Sequence, residues 1–447
     1  MTHHSRPRRS PLIPLIVTLA GLSLLSGSIP IATAQQGTPI ATPVTTAPTG
    51  SLPPAWLEFG PQGTLLARIV TDGECPALML DNLPLAMTPR AAPTPAFPMV
   101  ACEATIPFGV KSATVADQRL PLPDGPLSRI AIIGDTGCRL NDWEKKYQAC
   151  NDPQAWPFAT VAASVAVWQP DLIIHVGDYL YRESPCPAAE SGCAGSPHGD
   201  TWATWNADFF TPAAPLLGVA PWLFMRGNHE TCERNPEGWF AFLDPRPYQA
   251  ACQQFTESYV VNLMGQTLAV LDSAEAGDTT VTPAEQAQYK SQFDLLARIA
   301  PPGSWLITHR PVRGILAGSS GEFEVDNASY QDATGGTLPG DFKLVLSGHI
   351  HLAESIAFDP SSARAPQLVS GNAGTALDDI PTASPTARQL GDPAIVDAET
   401  QASFGFLTLE PSVIGWTATQ RDESGAPILT CELDSATMGC LPPSDPG

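Results

Sequence analysis

The sequence predicts an α/β fold, a layered β-sandwich flanked by helices, preceded by a small N-terminal all-β domain. Three observations carry that expectation. Five short apolar runs (129–133, 172–176, 222–225, 305–308 and 343–346) read as buried strands, and each is followed within a few residues by Asp, Asn or His. From residue 129 onward such runs alternate with helix signals, a βαβ-like order that gives a sheet covered by helices. Between Trp56 and about Leu122 the runs are short, punctuated by Pro and Gly and without helical periodicity, which predicts a β sandwich.

In chain order, residues 1–34 read as a secretory signal. Arg6, Arg8 and Arg9 precede an apolar core over 12–25, and Ala32-Thr33-Ala34 is a small-x-small cleavage site. A membrane anchor is the weaker reading, because Pro14, Gly21, Ser23 and Ser26 interrupt a run already short for a bilayer. Residues 35–54, rich in Pro, Thr and Ala, cannot bury a core and read as a linker. The N-terminal β domain is assigned to 55–125, with strands near 65–70, 77–80, 99–106 and 113–115, and the larger domain to 126–447. In that domain 156–168 and 204–210 carry helical spacing, while 283–299 has Thr282 as N-cap, Pro283 at the first position and Glu285 three after the cap. A strand over 266–271 precedes that helix. The Gly- and Ser-rich stretch 314–341 is a lid or a disordered loop. Strands near 367–370, 404–409, 414–419 and 428–433 close the fold.

At 447 residues and 43% hydrophobic composition the chain can bury a large core. Its formal charge of −22 argues against nucleic acid as a partner, since no basic patch exists to displace counterions. Ten cysteines in an exported chain argue for disulfides, and nearest-neighbour pairing gives Cys75–Cys102, Cys138–Cys150, Cys186–Cys193, Cys232–Cys252 and Cys431–Cys440. Secretion, or residence in a periplasm or at the cell surface, is expected, with no membrane contact after signal removal.

The chemistry lies at the strand ends. Asp178 follows the 172–176 run and Gly177, where ligand crevices of open α/β sheets form. Of eight histidines, two lie in the signal and four at strand ends: His229, His309, His349 and His351. His175, inside a strand, reads as a hydrogen-bonded core residue, and His198 as a surface residue. His349 and His351, two apart, share a face if extended. With Asp135, Asp178, Asn228 and His309 they make a mixed carboxylate, imidazole and amide set that suits first-row metals. Asp178 is the natural bridge between two ions.

In the blocks GDTG (134–137), GDYLY (177–181), GNHE (227–230), LITH (306–309) and GHIH (348–351), in this order and spacing, the chain resembles the calcineurin-like metallophosphoesterases, and within them the purple acid phosphatases. The resemblance covers about 129–410. It implies Asp135, Asp178, Tyr181 and His351 around a first metal, usually Fe(III), and Asp178, Asn228, His309 and His349 around a second, divalent Fe, Zn or Mn. Most of the superfamily uses Asp-x-His in the first block. Here position 137 is Gly, and Tyr181 can supply a phenolate in place of that imidazole. No histidine pair follows His309; Arg310 and Arg313 stand there instead.

The expected activity is hydrolysis of small phosphomonoesters by attack of a metal-activated hydroxide. His229 is the candidate acid for the leaving group or, alternatively, a residue that orients Asp135. Arg226 and Arg310 are weaker candidates for phosphate contact. A phosphodiesterase or nucleotidase on the same site is the alternative, and an inactive surface binding protein a more distant one.

Overall fold

The computed structural model of the chain describes residues 52–317, 323–380, 385–386, 389–434 and 437–441. The signal segment, most of the linker and the centre of the 314–341 stretch lie outside the described residues.

Two large sheets face each other. The first has eleven strands, with Ile130–Ile133, Leu172–His175 and Trp222–Phe224 parallel at its centre and the four C-terminal strands antiparallel along one side. The second has seven, with Gln266–Leu271, Trp305–Thr308, Leu344–Ser347 and Gln367–Ser370 parallel. Strand alternation divides the side chains between two layers. Ile130, Ile132, Leu172, Ile174 and Leu223 point inward against Leu268, Val270, Ile307, Leu344 and Leu346 of the other sheet. Their neighbours Ala131, Ile133 and Ile173 point outward, under Val161, Ala162 and Val165 of the helix Phe158–Trp168. On the far side Leu271, Leu306 and Val345 are covered by Tyr289, Phe293 and Leu296 of the helix Pro283–Ile299. The layers are therefore helix, sheet, sheet, helix, as the alternating pattern predicts.

Local signals hold closely. The Thr282 side chain accepts from Glu285 N, and Glu285 returns the bond, so the capping box forms as read. The 204–210 signal is part of a longer broken helix, Trp202–Trp205 continuing through a wide turn at Asn206–Phe210 into Thr211–Leu217. Within 314–341 the described residues make a hairpin, Arg313–Ala317 with Phe323–Asp326, and the helix Ala328–Thr334. All five expected disulfides are present.

The N-terminal region is all-β, and its strands divide between two sheets. Trp56–Phe59 pairs in parallel with the Trp222 strand and carries Leu65–Thr71, Val100–Ile106 and Thr88–Pro89 into the eleven-stranded sheet. A separate four-stranded sheet packs on them through Leu57, Ala67, Leu78, Leu80 and Val115. At the junction Glu58 is wholly buried beside Arg68, 2.9 Å away, and Arg68 also donates to the carbonyls of Phe242 and Asp244. Burial pushes the Glu58 carboxyl up to about 7 although Arg68 opposes it.

A carboxyl that holds its proton more tightly folded than unfolded contributes most below its unfolded pKa of 4.5, and that contribution is lost as pH rises through about 7. Glu58→Gln is neutral throughout. Between about pH 4.5 and about pH 8 it should gain on wild type by about 3 kcal/mol, read from denaturant unfolding at both pH values.

Candidate metal centre

The parallel strands of both sheets deliver their carboxyl ends to one place. Asp135, Asp178 and His349 take positive φ there, 56°, 61° and 73°. Non-glycine residues held in that region cluster where function fixes the backbone. Two glycines are obligatory for the close approach. A Cβ on Gly177, itself at φ 109°, would stand 2.4 Å from His309 Nδ1. One on Gly137 would stand 2.6 Å from the Tyr179 carbonyl and 2.7 Å from Tyr181 N. The loop that presents Tyr181 thus fills the room a histidine side chain at 137 would need.

The seven expected donors converge in two overlapping groups. In the first, Tyr181 Oη lies 2.8 Å from Asp135 Oδ1, 2.8 Å from Asp178 Oδ2 and 2.9 Å from His351 Nε2. A phenol has one proton for these partners. In the second, His309 Nδ1 meets the Val176 carbonyl at 2.8 Å, which can only accept, so in the neutral ring Nε2 carries the lone pair. That nitrogen faces Asn228 Oδ1 at 3.0 Å and Asp178 Oδ2 at 3.2 Å. One donor atom each from Asp178, His309 and His349 lies within 4.8 Å of the others. Acceptors therefore meet acceptors with too few protons between them. A set of this kind fits metal cations.

The electrostatics agree. Burial, and then the charge of Asp178, push Asp135 well above the usual carboxylate range. Burial also opposes ionisation of Asp178, yet His309 and His229 outweigh it and hold that carboxyl well below its ordinary value. Burial and the neighbouring Arg310 push His349 down to about 4, which keeps the ring neutral. Burial and the two carboxylates raise Tyr181, so its phenol keeps its proton.

His229 packs against Tyr181 with ring centroids 3.7 Å apart and the planes tilted by 37°. Its Nδ1 is 3.2 Å from Glu183 and its Nε2 is 3.1 Å from Arg234 Nη2. Burial lowers its pKa. Arg310 reaches the cluster: it donates to Asp278, and its Nη1 is 2.9 Å from His349 Nε2. Arg226 does not. Its Nε and Nη1 meet the carbonyls of Glu230, Gln253 and Gln254 and the Asp272 carboxylate, and its Nη2 faces Cys232 Sγ at 3.9 Å, so it pins a neighbouring loop. His175 is a core residue, stacked on Tyr179 and bonded to Thr136 and Gly177 N, and His198 is exposed.

Sequence reasoning missed the acids that hold these loops. Glu230 accepts from the backbone N–H groups of Gly227, Asp178, Tyr179 and Leu180, tying the GNHE and GDYLY loops together. Burial and Asp178 push it up to about 8. Asp208 accepts from Cys138 N, Tyr181 N and Arg182 N, joining the GDTG loop to the tyrosine. Asp378 and Asp278 lie 3.4 Å from His351 Nδ1 and 3.1 Å from His349 Nε2. Glu230 stood in a quoted block; Asp208, Asp278 and Asp378 stand in none, so only folding identifies them.

A family model described as calcineurin-like phosphoesterase matches residues 128–353. Among solved structures, that of PhoD is similar over 89% of this chain and 94% of its own, at 12% identity and a TM-score of 0.50. The purple acid phosphatase PPD1 of yellow lupin (Lupinus luteus) seeds is similar over 87% and 74%, at 13% identity and 0.50. Likeness at such identity speaks for the fold. No curated protein matches in sequence.

Glu230→Ala would leave buried N–H groups without an acceptor, at about 1–3 kcal/mol for each group that water cannot reach. The expected outcome is a fall in melting temperature together with loss of bound metal, measured by calorimetry and elemental analysis. Native-like melting with full metal content would show that Glu230 does not hold the two loops.

Proposed function

The chain belongs to the calcineurin-like phosphoesterase family, and from that premise we propose that it is an exported, two-metal hydrolase of small phosphomonoesters. What most supports the two-metal part is the double convergence on Asp178, whose Oδ2 faces both Tyr181 Oη and His309 Nε2. Asp135, Tyr181 and His351 would hold one ion, Asn228, His309 and His349 the other, and Asp178 would lie between them. Once bound, such ions supply Lewis acidity toward a phosphate oxygen and acidify a water molecule. A phenolate ligand favours Fe(III) for the first ion, with divalent Fe, Zn or Mn for the second.

The remaining work falls to the chain itself. Asp178 is fixed before any ligand arrives, its Oδ1 accepting from His229 N at 2.8 Å, and Asp135 Oδ2 accepts from His349 N at 2.9 Å. His229, beside Asn228 and at the edge of the cluster, is placed to give a proton to the departing alkoxide, with Glu183 on its other nitrogen. Arg310 is the candidate for phosphate contact, since its Nη1 already stands at His349. The disulfides favour an oxidising compartment, and among the described residues no helix is long and apolar enough to cross a membrane.

Three measurements test this reading. Purified protein should carry two equivalents of metal and a visible absorption band from tyrosinate bound to Fe(III), and Tyr181→Phe should lose the band. Turnover of p-nitrophenyl phosphate should exceed that of bis-p-nitrophenyl phosphate; the reverse order would make the enzyme a diesterase. His229→Asn should lower turnover by about 10²-fold on an alkyl phosphate and less on p-nitrophenyl phosphate, whose leaving group needs no proton. Equal losses on both would leave His229 an orienting residue only.

A further inference from the structure

The five disulfides are unequally placed. Cys102, Cys138, Cys150, Cys193 and Cys431 are buried, so four of the bridges have at least one member shielded from solvent. In the fifth, Cys232–Cys252, neither member is buried: Cys232 is half-buried and Cys252 is exposed. Exposed bridges are the ones that a thiol in solution can open.

The two sulfurs of this bridge also differ from each other. Arg226 Nη2 lies 3.9 Å from Cys232 Sγ, and the Asp272 carboxylate stands at the other terminal nitrogen, Nη1, 3.5 Å away. A guanidinium beside a sulfur favours its thiolate and makes it the better leaving group. Exchange therefore has a direction, with attack at the exposed Cys252 and departure of Cys232.

The bridge fastens a loop of the metal centre. Cys232 follows Asn228 by four residues and Glu230 by two. Cys252 adjoins Gln253 and Gln254, whose carbonyls accept from Arg226 Nη1 at 2.7 Å and 3.1 Å, while Arg226 Nε donates to the Glu230 carbonyl at 2.9 Å. The GNHE loop is thus tied to 252–254 at both ends, through Arg226 before it and through the disulfide after it. Asn228 lies between the two ties, with its Oδ1 3.0 Å from His309 Nε2. Opening the bridge removes the covalent tie and offers Arg226 a thiolate in competition with the carbonyls it now holds.

We infer that Cys232–Cys252 is a thiol-exchange site for low-molecular-weight thiols and that its state sets how firmly Asn228 is held. An incoming thiolate bonds to Cys252 Sγ, the bond between the two cysteines breaks, and its electron pair leaves on Cys232 as a thiolate beside Arg226. One thiolate enters and one is released, and Cys252 is left in a mixed disulfide. The exchange stands on the bridge alone; its effect on a bound ion rests on the two-metal reading.

The test uses folded, metal-loaded full-length protein. It is incubated with reduced glutathione, quenched at short times with iodoacetamide and read by peptide mass spectrometry. The glutathione adduct should appear on Cys252 and the alkylated thiol on Cys232, about tenfold faster than at any other bridge. An adduct on Cys232 instead, or opening of another bridge at the same rate, overturns the exchange site. By elemental analysis the opened protein should lose about one equivalent of metal with its far-UV circular dichroism unchanged, and Cys252→Ser should show the same loss with no thiol added. Full metal content in either one overturns the link to Asn228. If the untreated wild type binds no metal at all, the two-metal reading fails, and the position of the adduct still judges the exchange site.

Discussion

The structure depends on one crowded carboxylate. Asp178 stands at the end of a buried strand, in left-handed backbone, with Tyr181, His309 and His229 around its two oxygens. Among the described residues its ion-pair partners are histidines, with no Lys or Arg in direct contact. A carboxylate desolvated to this degree is costly unless positive charge is brought to it, and the rest of the site is arranged around that deficit. The glycines at 137 and 177 exist to let the loops close on it, and the acceptors that face one another leave places that cations fit.

Around this centre lies a second ring of acids with a different duty. Glu230 bonds backbone N–H groups, Asp208 bonds backbone N–H groups and the Arg182 guanidinium, and both so fix where the motif loops run. Glu183, Asp278 and Asp378 each face an imidazole nitrogen. Such partners orient rings and raise their basicity toward a metal. Buried carboxylates also make the region sensitive to the loss of any one partner, because each lost hydrogen bond strands a group that water cannot reach.

Much of this was legible in the chain. Short continuous apolar runs predicted the strands, the Thr282/Glu285 capping box predicted its helix to the residue, and nearest-neighbour pairing matched the disulfides. Asp135, Asp178, Asn228, His309, His349 and His351 stood out because each sits near a strand end, where this fold class makes a crevice, whereas Tyr181 was implied by the resemblance to purple acid phosphatases. Arg226 could not be judged in the same way. It adjoins a ligand candidate in sequence, yet its fate was set by carbonyls at 253 and 254. That the N-terminal strands would extend the sheet of the larger region was equally hidden: Glu58 pairs with Trp222, a contact across more than a third of the chain.

The sequence by itself determined which residue types stand at which strand ends, since hydrophobic periodicity and turn chemistry act over a few residues. Only the tertiary structure decided which charges meet. That two carboxylates and an imidazole would share a single phenol, and that Glu230 and Asp208 would bind loops far from them, both depend on long-range packing. The reason is physical: periodicity is a local property of the chain, whereas desolvation and charge pairing are properties of the space that two packed sheets enclose.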